Sequence, residues 1–293
     1  MKISVITINY NGISNTRIFI NSFKNEVQGV DYELIVVDNA SVENEARMLE
    51  EEFGDIVCIR SDINLGFSGG NNLGVKYAKG EMLLFMNNDI IVKSNFLSPL
   101  LERLSQNMNI GAISPQIRYM DETLCYGGCK PIGRFLLRIH YLSGDLDKGL
   151  AFSQEVSLIH GAVVMIRKNV LEKIGGWPDI YFLYSEEIDL SLSLKKLGYS
   201  VWYEPKSIVY HLGSQSTGKD SPLVYYYNTR NRLLLYKRNL CGITRVVSIT
   251  YQLLLNYYHI FLLLLSSKQL LAKSVFLGTK DFLMNKFYFR SDI

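Results

Sequence analysis

The first hundred residues alternate short apolar runs with longer segments of helical periodicity. The apolar runs have strand length: Lys2–Ile8, Glu33–Val37, Ile56–Ile59 and Met82–Met86. The segments between them predict helices around Phe19–Val27, Glu43–Phe53 and Asn72–Ala78, with Ser41 as the expected N-cap of the second. Runs without an exposed polar face are typical of strands covered by helices on both sides. An α/β fold with a Rossmann-like, mainly parallel sheet flanked by helices is therefore predicted.

The middle of the chain carries a second patterned block. From Pro115 to about Tyr141 the helical period is lost, which predicts short hairpins or a mobile loop. The block that follows predicts strands and helices at Val156–Arg167, Asn169–Lys173, Glu186–Leu197, Val201–Tyr203 and Ile208–Tyr210. No linker rich in Pro, Gly or Ser separates the two blocks. We therefore predict one domain over residues 1–220 and a separate C-terminal tail over residues 221–293.

The tail differs from the rest of the chain in charge. The net charge is +3, yet residues 221–280 hold eight Lys or Arg and no acid, and residues 281–293 are neutral. Residues 1–220 therefore carry −5, from 3 minus 8. A basic tail rich in Tyr and Leu suits an anionic membrane surface, and its long leucine run disfavours a nucleic-acid partner.

Val246–Leu265 is a run of twenty uncharged residues within this tail. Polar residues recur along it at helical spacing: Ser248, Gln252, Asn256 and His259. This periodicity predicts an amphipathic helix in the membrane interface or docked on a partner, with its polar stripe outward. A single membrane span and a buried core helix remain the alternatives. A homo-oligomer is a further option for the docked form.

The N-terminal segment and the cysteine content predict the cellular location. The N-terminal segment MKISVITINYNG lacks the apolar core and cleavage site of a secretory signal. Four cysteines are too sparse for a disulfide framework, so Cys125 and Cys129 are expected to be free thiols. We expect a cytoplasmic protein attached peripherally to the inner face of the cell membrane.

Polar residues stand where the predicted strands end, which is where parallel sheets bind ligands. Asp38 ends the apolar run LIVVD and is placed to accept hydrogen bonds from a base or a ribose, although a turn-forming Asp-Asn pair has the same sequence. Asp89 follows another strand with Asn87 and Asn88 beside it. Oxygen ligands favour Mg²⁺ or Mn²⁺ shared with a diphosphate, but a simple turn remains the alternative.

Three further features carry candidate chemistry. The glycine-rich segment Asn64–Gly74 opens a helix, an arrangement that presents backbone N–H groups to phosphate, although it lacks a complete phosphate-binding motif. Glu186, Glu187 and Asp189 begin another helix, where acids also complement the helix dipole. His211 lies at a strand end, where a lone histidine is more often structural than a ligand.

The order of these segments resembles one family. The matching stretches are VITINYNG, ELIVVDNASVE, NLGFSGGNNLGVKYAKGEMLLFMNND, GAVVMIRKNVLEKIGGW and YSEEIDLSLSLKKLGYSVWYEPKSIVYHLGSQS, which span residues 3–216. The chain resembles the family 2 glycosyltransferases of the GT-A fold, in the rhamnosyltransferase-like branch. The resemblance implies an inverting transferase that moves a sugar from a nucleotide donor.

The resemblance also implies roles for individual residues. Residues placed at the nucleotide-sugar donor are Thr7, Asn9, Tyr10, Asp38, Asn64, Gly66, Gly69, Gly70, Asn72 and Asn88. Asp89 takes the last position of the metal-binding Asp-x-Asp motif, and His211 matches a histidine that reaches the same metal in several relatives. Trp177 and Asp179 are placed at the border of the acceptor site.

Two departures from the family pattern bear on the chemistry. The first acid of Asp-x-Asp is Asn87, so the Mg²⁺ or Mn²⁺ ion is expected to depend more on the donor diphosphate. The family's Glu-Asp pair is Glu186-Glu187, which makes Glu187 the expected catalytic base, with Glu186 and Asp189 as fallbacks.

The predicted reaction transfers a sugar from a UDP- or dTDP-sugar, dTDP-rhamnose among them, to a lipid-linked or polysaccharide acceptor in cell-surface glycan synthesis. Two alternatives stay open. A sugar-phosphate nucleotidyltransferase would share the sheet, but NYNG replaces the basic glycine-rich loop that such an enzyme needs after its first strand. A catalytically silent nucleotide-sugar-binding partner of a membrane assembly would tolerate the change at Glu187.

Overall fold

A computed structural model describes residues 2–213 and 221–290. The strands of this part are β1 (Ile3–Asn9), β2 (Tyr32–Asp38), β3 (Val57–Arg60), β4 (Met82–Met86), β5 (Ile90–Ile91), β6 (Ile110–Tyr119), β7 (Leu124–Tyr126), β8 (Gln154–Glu155), β9 (Val163–Arg167) and β10 (Ser200–His211). The helices are α1 (Ile13–Glu26), α2 (Glu45–Glu52), α3 (Gly66–Val75), α4 (Leu97–Gln106), α5 (Lys168–Lys173), α6 (Glu186–Lys196), α7 (Pro222–Asn239), α8 (Gly242–Leu265) and α9 (Gln269–Leu283). Residues 214–216 of the last matching stretch, and the predicted boundary after residue 220, fall outside the described residues.

One mixed sheet organises the molecule, in the order β3-β2-β1-β4-β9-β6-β10-β5. The first four strands are mutually parallel, whereas β9 runs antiparallel to both β4 and β6, and β10 is parallel to β6. The apolar runs become fully buried strands, as in β4, where all five residues are buried. The predicted α/β class is confirmed, with a mainly parallel sheet and helices at the C-terminus.

Close packing of α3 on β1 explains why two positions of the glycine-rich segment are occupied by glycine. A Cβ at Gly74 would lie 2.6 Å from Ile6 Cγ2, and one at Gly70 would lie 3.0 Å from Ile8 Cδ1. Side chains at these positions would push the helix away from the sheet. These two glycines therefore set the distance between α3 and β1.

Several sequence predictions differ from the structure in detail. The strand predicted over Val156–Arg167 is confined to β9, because the residues before it run through a loop. The two predicted strands after Val201 form one strand, β10, with a register shift between Glu204 and Ile208. The segment after Pro115 is partly regular, since β6 continues to Tyr119 and pairs with β7. The N-cap of α2 is Asn44, whose Oδ1 accepts from Arg47 N at 3.2 Å, and not Ser41.

Helix α7 joins the C-terminal segment to the loop that precedes α6. Arg230 is 1% exposed and donates from Nη2 to Tyr181 O at 2.7 Å. Asn231 donates from Nδ2 to Leu183 O at 2.6 Å and to Tyr184 O at 2.8 Å. These polar side chains satisfy buried carbonyls that would otherwise lack donors. The division into residues 1–220 and 221–293 stays a prediction.

Helix α8 turns Ser248, Gln252 and Asn256 of its polar stripe inward and leaves His259 exposed, so the outward orientation predicted for the whole stripe is wrong. Ser248 is fully buried and donates from Oγ to Phe135 O at 2.8 Å. Asn256 is 4% exposed and donates to Thr279 Oγ1 at 3.0 Å. The exposed face is instead apolar, with Ile243, Val246, Val247, Tyr251, Leu254, Leu255, Tyr257, Tyr258, Phe261, Leu262, Leu264 and Leu265. Periodicity defines a polar face, but the packing partners decide which way it points.

Among the described helices, α8 is the one whose length and composition would allow it to cross a membrane. It has 24 residues and a mean hydropathy of 1.3 over its most apolar window, of which 17% is buried. Such a helix is by itself weak evidence for a span.

Candidate active site

Strand pairing brings Asp89 and His211 together. The short strand β5 pairs antiparallel with the end of β10, so His211 faces Ile90, the residue after Asp89. Leu212 N also donates to Asp89 O at 2.9 Å. As a result His211 Nε2 lies 3.2 Å from Asp89 Oδ1, and both residues are buried, at 9% and 8% exposed.

This pair has the chemistry to take part in holding a divalent cation. Apart from the 3.2 Å contact between Asp89 Oδ1 and His211 Nε2, the buried atoms Asp89 Oδ1 and His211 Nδ1 have no hydrogen-bond partner among the described residues. A buried carboxylate oxygen without a donor is costly unless a cation or another ligand satisfies it. No group of three His, Cys, Asp or Glu residues with metal-binding geometry occurs in the described part of the chain. Most of the ligands would therefore be oxygens of a bound diphosphate and of water.

The Cys125 thiol connects His211 to a second histidine, His160. Burial, the largest influence, opposes the thiolate, but the neighbouring His160 and His211 side chains outweigh it and lower the pKa of Cys125 to about 5. For His211, burial opposes the imidazolium, but Asp89 and Cys125 prevail and raise the pKa to about 10. Both shifts reflect the attraction between a Cys125 thiolate and a His211 imidazolium, which favours the second proton on His211. A cation at His211 would have to displace that proton.

Glu187 lies in the first turn of α6, beside the loop that leads into β9. The Oε1 atom of Glu187 accepts a hydrogen bond from Tyr141 OH at 3.2 Å. The loop approaches closely, because a Cβ added at Gly161 would lie 3.5 Å from the Cβ of Glu187. Burial raises the pKa of Glu187, while the charge of the nearby His160 counters the rise. A carboxylate with a raised pKa is better suited to accept a proton from a hydroxyl. Glu187 and His160 therefore belong to one cluster of interacting titratable side chains.

The two fallback acids occupy different surroundings. Glu186 is 6% exposed, and its buried Oε2 has no hydrogen-bond partner within residues 2–213 and 221–290. Burial, together with the adjacent Glu187, raises the pKa of Glu186 well above its usual range. Asp189 is 2% exposed and is held by Arg238 Nε at 2.7 Å and by Asn239 Nδ2 at 2.5 Å. The carboxylate of Asp189 therefore anchors α7 to α6, and it is already fully engaged.

A cavity of about 530 Å³ opens beside Glu187. Tyr141 and Glu187 form part of its wall, and residues of α7 and α8 form the side across from them, including Arg232 and His259. Cavities of roughly 300–1,000 Å³ are typical of small-molecule sites. The candidate base therefore borders a space large enough for a substrate.

The residues assigned to the nucleoside lie at the ends of β1 and β2. Most of them form hydrogen bonds with other residues of the protein. Thr7 is buried, and its hydroxyl oxygen has no hydrogen-bond partner in the part of the chain that the structure describes. Asn9 donates to Glu45 Oε2 at 2.6 Å and accepts from Thr16 Oγ1 at 2.7 Å. Tyr10, by contrast, is 49% exposed and free to meet a ligand.

Asp38 is fully buried and already has three partners. It accepts from Ser41 N at 3.0 Å and Ala46 N at 3.3 Å, and pairs with Arg60 Nη1 at 2.6 Å. These bonds hold the loop between β2 and α2. A nucleoside that uses Asp38 directly would have to share its carboxylate with Arg60.

The glycine-rich turn is fastened to the loop before α6. Asn64 Oδ1 accepts from Gly66 N at 2.9 Å, and Gly66 has φ of 70°. A Cβ at Gly66 would lie 2.2 Å from Phe182 O, which accepts from Phe67 N at 2.8 Å. A Cβ at Gly69 would lie 2.9 Å from Leu65 Cβ. Only glycine allows this approach at position 66.

Two asparagines fix the neighbouring loops. Asn72 exchanges two hydrogen bonds with the backbone of Trp177, at 2.8 and 2.9 Å. Asn88 donates to Thr16 Oγ1 at 2.9 Å, next to Asn9. Asn72 therefore positions the segment that carries Trp177, and Asn88 ties the Asp89 loop to α1.

Trp177 and Asp179 do not reach the cavity at Glu187. Trp177 is 2% exposed, and its ring packs edge-on against Phe67 and Phe85, with centroids 5.3 and 5.2 Å away. Asp179 is exposed and borders a different cavity of about 240 Å³, together with Arg238. The structure gives Trp177 a packing role, and the place of Trp177 and Asp179 at the acceptor border stays a prediction.

Sequence reasoning did not single out several side chains of this region: Asn39, Glu45, Cys125, Tyr141, His160 and Arg232. Asn39 binds Asn64 Oδ1 and Gly66 O, both at 3.0 Å, and Glu45 also accepts from Gly12 N at 3.1 Å. His160 stands directly before the matching stretch GAVVMIRKNVLEKIGGW, and this position beside the stretch was the one signal for it in the sequence.

Comparison with known proteins agrees with this geometry. Residues 4–175 match the profile of Glycosyl transferase family 2, and residues 134–287 match that of Glycosyl transferase family group 2. The chain is 27% identical over 237 residues to the low-salt glycan biosynthesis hexosyltransferase Agl10 of Haloferax volcanii, covering 79% of this chain and 74% of the relative. It is 24% identical over 211 residues to the N-acetylglucosaminyl-diphospho-decaprenol L-rhamnosyltransferase of Mycobacterium tuberculosis, covering 64% and 68%.

Solved structures show the same fold. The mannosyltransferase PcManGT from Pyrobaculum calidifontis, in complex with GDP-Man and Mn²⁺, superposes with a TM-score of 0.61 at 15% identity, covering 97% of this chain and 87% of that one. The likeness extends through the C-terminal helices. Because the profile of Glycosyl transferase family 2 covers more than half of its residues, the chain belongs to that family.

Proposed function

We propose that the protein is an inverting glycosyltransferase that moves a sugar from a nucleoside-diphosphate donor to a hydroxyl group in cell-surface glycan synthesis. The observation that carries this proposal is the position of Glu187, which borders a cavity of substrate size and has its pKa raised by burial. Membership of family 2 and the hexosyltransferase relative support the reaction class.

The proposed reaction is a single displacement. The Glu187 carboxylate takes the proton of the acceptor hydroxyl while that oxygen forms a bond to the anomeric carbon. The bond between that carbon and the diphosphate oxygen breaks, and the nucleoside diphosphate departs with the electron pair. Tyr141 holds Glu187 through the 3.2 Å hydrogen bond, which orients the carboxylate.

Asp89 and His211 would hold the metal ion, for which Mg²⁺ and Mn²⁺ are the candidates. Bound there, a divalent cation supplies positive charge to the departing diphosphate. Support comes from the burial of the Asp89 carboxylate beside His211 Nε2, 3.2 Å from its Oδ1, and from a structural neighbour solved with Mn²⁺.

For the donor we propose a UDP- or dTDP-sugar, with dTDP-rhamnose to be tested first. The support is the rhamnosyltransferase-like sequence and the mycobacterial relative, whose name specifies an L-rhamnosyl group. For the acceptor we propose a lipid-linked or polysaccharide glycan.

We further propose that the exposed face of α8 attaches the protein to the inner face of the cell membrane, from the cytoplasm. The face is apolar along its length, and exposed cations flank it at Arg245, Lys268, Lys273 and Lys280. An apolar face with a basic border matches an anionic bilayer.

The test is transfer from a panel of nucleotide sugars with Mg²⁺ or Mn²⁺, using purified wild type, Glu187→Gln and Glu50→Gln. Glu50 is exposed on α2, which makes Glu50→Gln a matched control. We expect Glu187→Gln to keep donor binding and to lose transfer by about 10² or more, and Glu50→Gln to equal the wild type. Wild-type donor binding without transfer to any acceptor would instead favour a silent binding partner.

A further inference from the structure

The inward polar stripe of α8 forms one side of the cavity that Glu187 borders. Gln252, Asn256 and His259 line the cavity from α8, and Asn228 and Arg232 line it from α7. The same helix therefore presents polar groups to the candidate active site and apolar groups to the exterior.

Arg232 gives this cavity a fixed positive group. Among the described residues that line it, Arg232 is the one Lys or Arg and Glu187 the one acid. Arg232 Nε donates to Tyr236 OH at 2.8 Å, and Nη2 donates to Leu136 O at 3.0 Å and Leu137 O at 2.9 Å. These bonds fix the guanidinium, and no acceptor from the described residues meets Nη1. A preorganised guanidinium with a donor to spare suits a phosphate oxygen.

His259 adds a second donor on the same side. Its ring lies 5.6 Å from that of Tyr225, which limits how the imidazole can turn. Asn228 and Gln252 carry neutral amides, which can bond the hydroxyl groups of a sugar. The cavity thus combines one acid, an anion-binding side and neutral polar groups, within a volume of about 530 Å³.

We propose that this cavity is the acceptor site and that it takes a sugar bearing a phosphate or diphosphate. The reacting hydroxyl of that sugar faces Glu187, and its phosphate is bound by Arg232 and His259. The apolar outer face of α8 then lies where a chain attached to the phosphate would enter the bilayer. This assignment rests on the proposed function for the reacting hydroxyl, whereas the phosphate site stands on the cavity alone.

The test is direct binding by isothermal titration calorimetry, with chelator present and no donor. The probes are farnesyl diphosphate, inorganic pyrophosphate and farnesol, which separate the contributions of phosphate and chain. We expect farnesyl diphosphate to bind the full chain, with Arg232→Gln and His259→Ala each weakening it about tenfold or more. Arg47→Gln, on the exposed side of α2, is the matched control and is expected to bind as the wild type does.

Two further comparisons control for misfolding of the variants and identify whether the phosphate belongs to a soluble or a lipid-linked molecule. Arg232→Lys keeps the charge and is expected to retain more affinity than Arg232→Gln, with both variants folded by circular dichroism. Pyrophosphate binding as tight as farnesyl diphosphate binding would identify a soluble sugar phosphate, and much weaker binding a lipid-linked one.

Two results would overturn the proposal: equal farnesyl diphosphate affinity in the wild type, Arg232→Gln and His259→Ala, or an equal loss in Arg47→Gln. Because no donor is used, these results are independent of transfer. If Glu187→Gln kept full transfer while Arg232→Gln lost probe binding, the proposed function would fail and the phosphate site would stand.

Discussion

At the scale of single residues, two adjacent carboxyl groups have separate surroundings. Glu187 borders the cavity and accepts a hydrogen bond from Tyr141, whereas Glu186 is buried and no described residue bonds its Oε2. The helix rotates each residue by about 100°, so neighbours in sequence face different environments. The sequence identifies the acidic pair, but only the packing shows which member reaches open space.

This difference predicts the behaviour of Glu186→Gln. Burial raises the folded-state pKa of Glu186, so the folded state favours the protonated form. As pH rises above the unfolded pKa of about 4.3, the unfolded state ionises first and the free energy of unfolding falls. The amide removes this pH-dependent loss. We expect the melting temperature of Glu186→Gln to exceed that of the wild type by roughly 2–4 °C or more at pH 8, and the gap to close towards pH 4.

Thermal unfolding across that pH range, followed by circular dichroism, measures this effect. Glu50→Gln serves as the exposed control and is expected to change nothing. A melting temperature of Glu186→Gln below that of the wild type at pH 8 would show that the ionised carboxylate is stabilising.

The Asp89 and His211 pair yields a prediction about the metal. Asp89 supplies the charged ligand and His211 a neutral one, so we expect Asp89→Ala to weaken Mn²⁺-dependent donor binding more than His211→Ala. Calorimetry with the donor, with and without Mn²⁺, measures this. If chelator leaves donor binding and transfer by the wild type unchanged, the metal assignment is wrong.

At the scale of elements, the sheet could be predicted because its strands are buried on both faces and are therefore apolar throughout, as in β4. The direction of the α8 stripe could not be predicted from the same kind of pattern. A helix with one polar face satisfies that face equally well in water or against buried partners such as Phe135 O. The choice depends on contacts over a hundred residues apart in sequence.

The outer face of α8 leads to a prediction about membranes. We expect the wild type to float with vesicles that contain anionic lipid, and the double variant Leu254→Glu and Phe261→Glu to stay in solution, because two charges would enter the apolar layer. Val42→Glu is the matched control, since Val42 is also exposed, at 85%, but lies before α2. High salt should release part of the wild type, because each basic residue contributes about 1 kcal/mol before screening.

Two outcomes of the flotation experiment would refute this attachment. Equal flotation of the double variant would show that α8 does not hold the protein on the bilayer. A wild type that is dimeric without lipid, and monomeric in the double variant, would show that a second copy of the chain covers the face.

At the scale of the whole molecule, α7 joins the C-terminal segment to the sheet domain. Arg230 and Asn231 satisfy carbonyls of the loop before α6, and Arg238 neutralises Asp189, which is 2% exposed. Loss of Arg238 would leave the buried Asp189 carboxylate without its charge partner, although solvent screens part of this attraction because the Arg238 side chain is 40% exposed.

Truncation after residue 220 tests this dependence. We expect the shortened chain to be poorly soluble or to melt far below the full chain, because Asp189 and the carbonyls of Tyr181, Leu183 and Tyr184 lose their partners. A chain that ends at Arg290 is the control. A soluble product of residues 1–220 that unfolds cooperatively at the wild-type temperature would instead confirm the predicted domain boundary.

The candidate site also shows how far sequence reasoning reaches. The residues at strand ends, such as Asp89 and His211, could be predicted because parallel strands deliver their carboxyl ends to one edge. Cys125, His160 and Arg232 could not, since they come from three separate segments that only the folded chain brings near the site. Trp177 differs from these residues, because the family resemblance singled it out for the acceptor border and its side chain is buried in the core.

The most direct test of the proposed single displacement is the anomeric configuration of the product, monitored by ¹H NMR during transfer by the wild type. A single displacement assisted by Glu187 predicts a newly formed glycosidic bond whose configuration is opposite to that of the donor. A product with the donor's configuration from the first turnover would contradict direct displacement and, with it, the role proposed for Glu187.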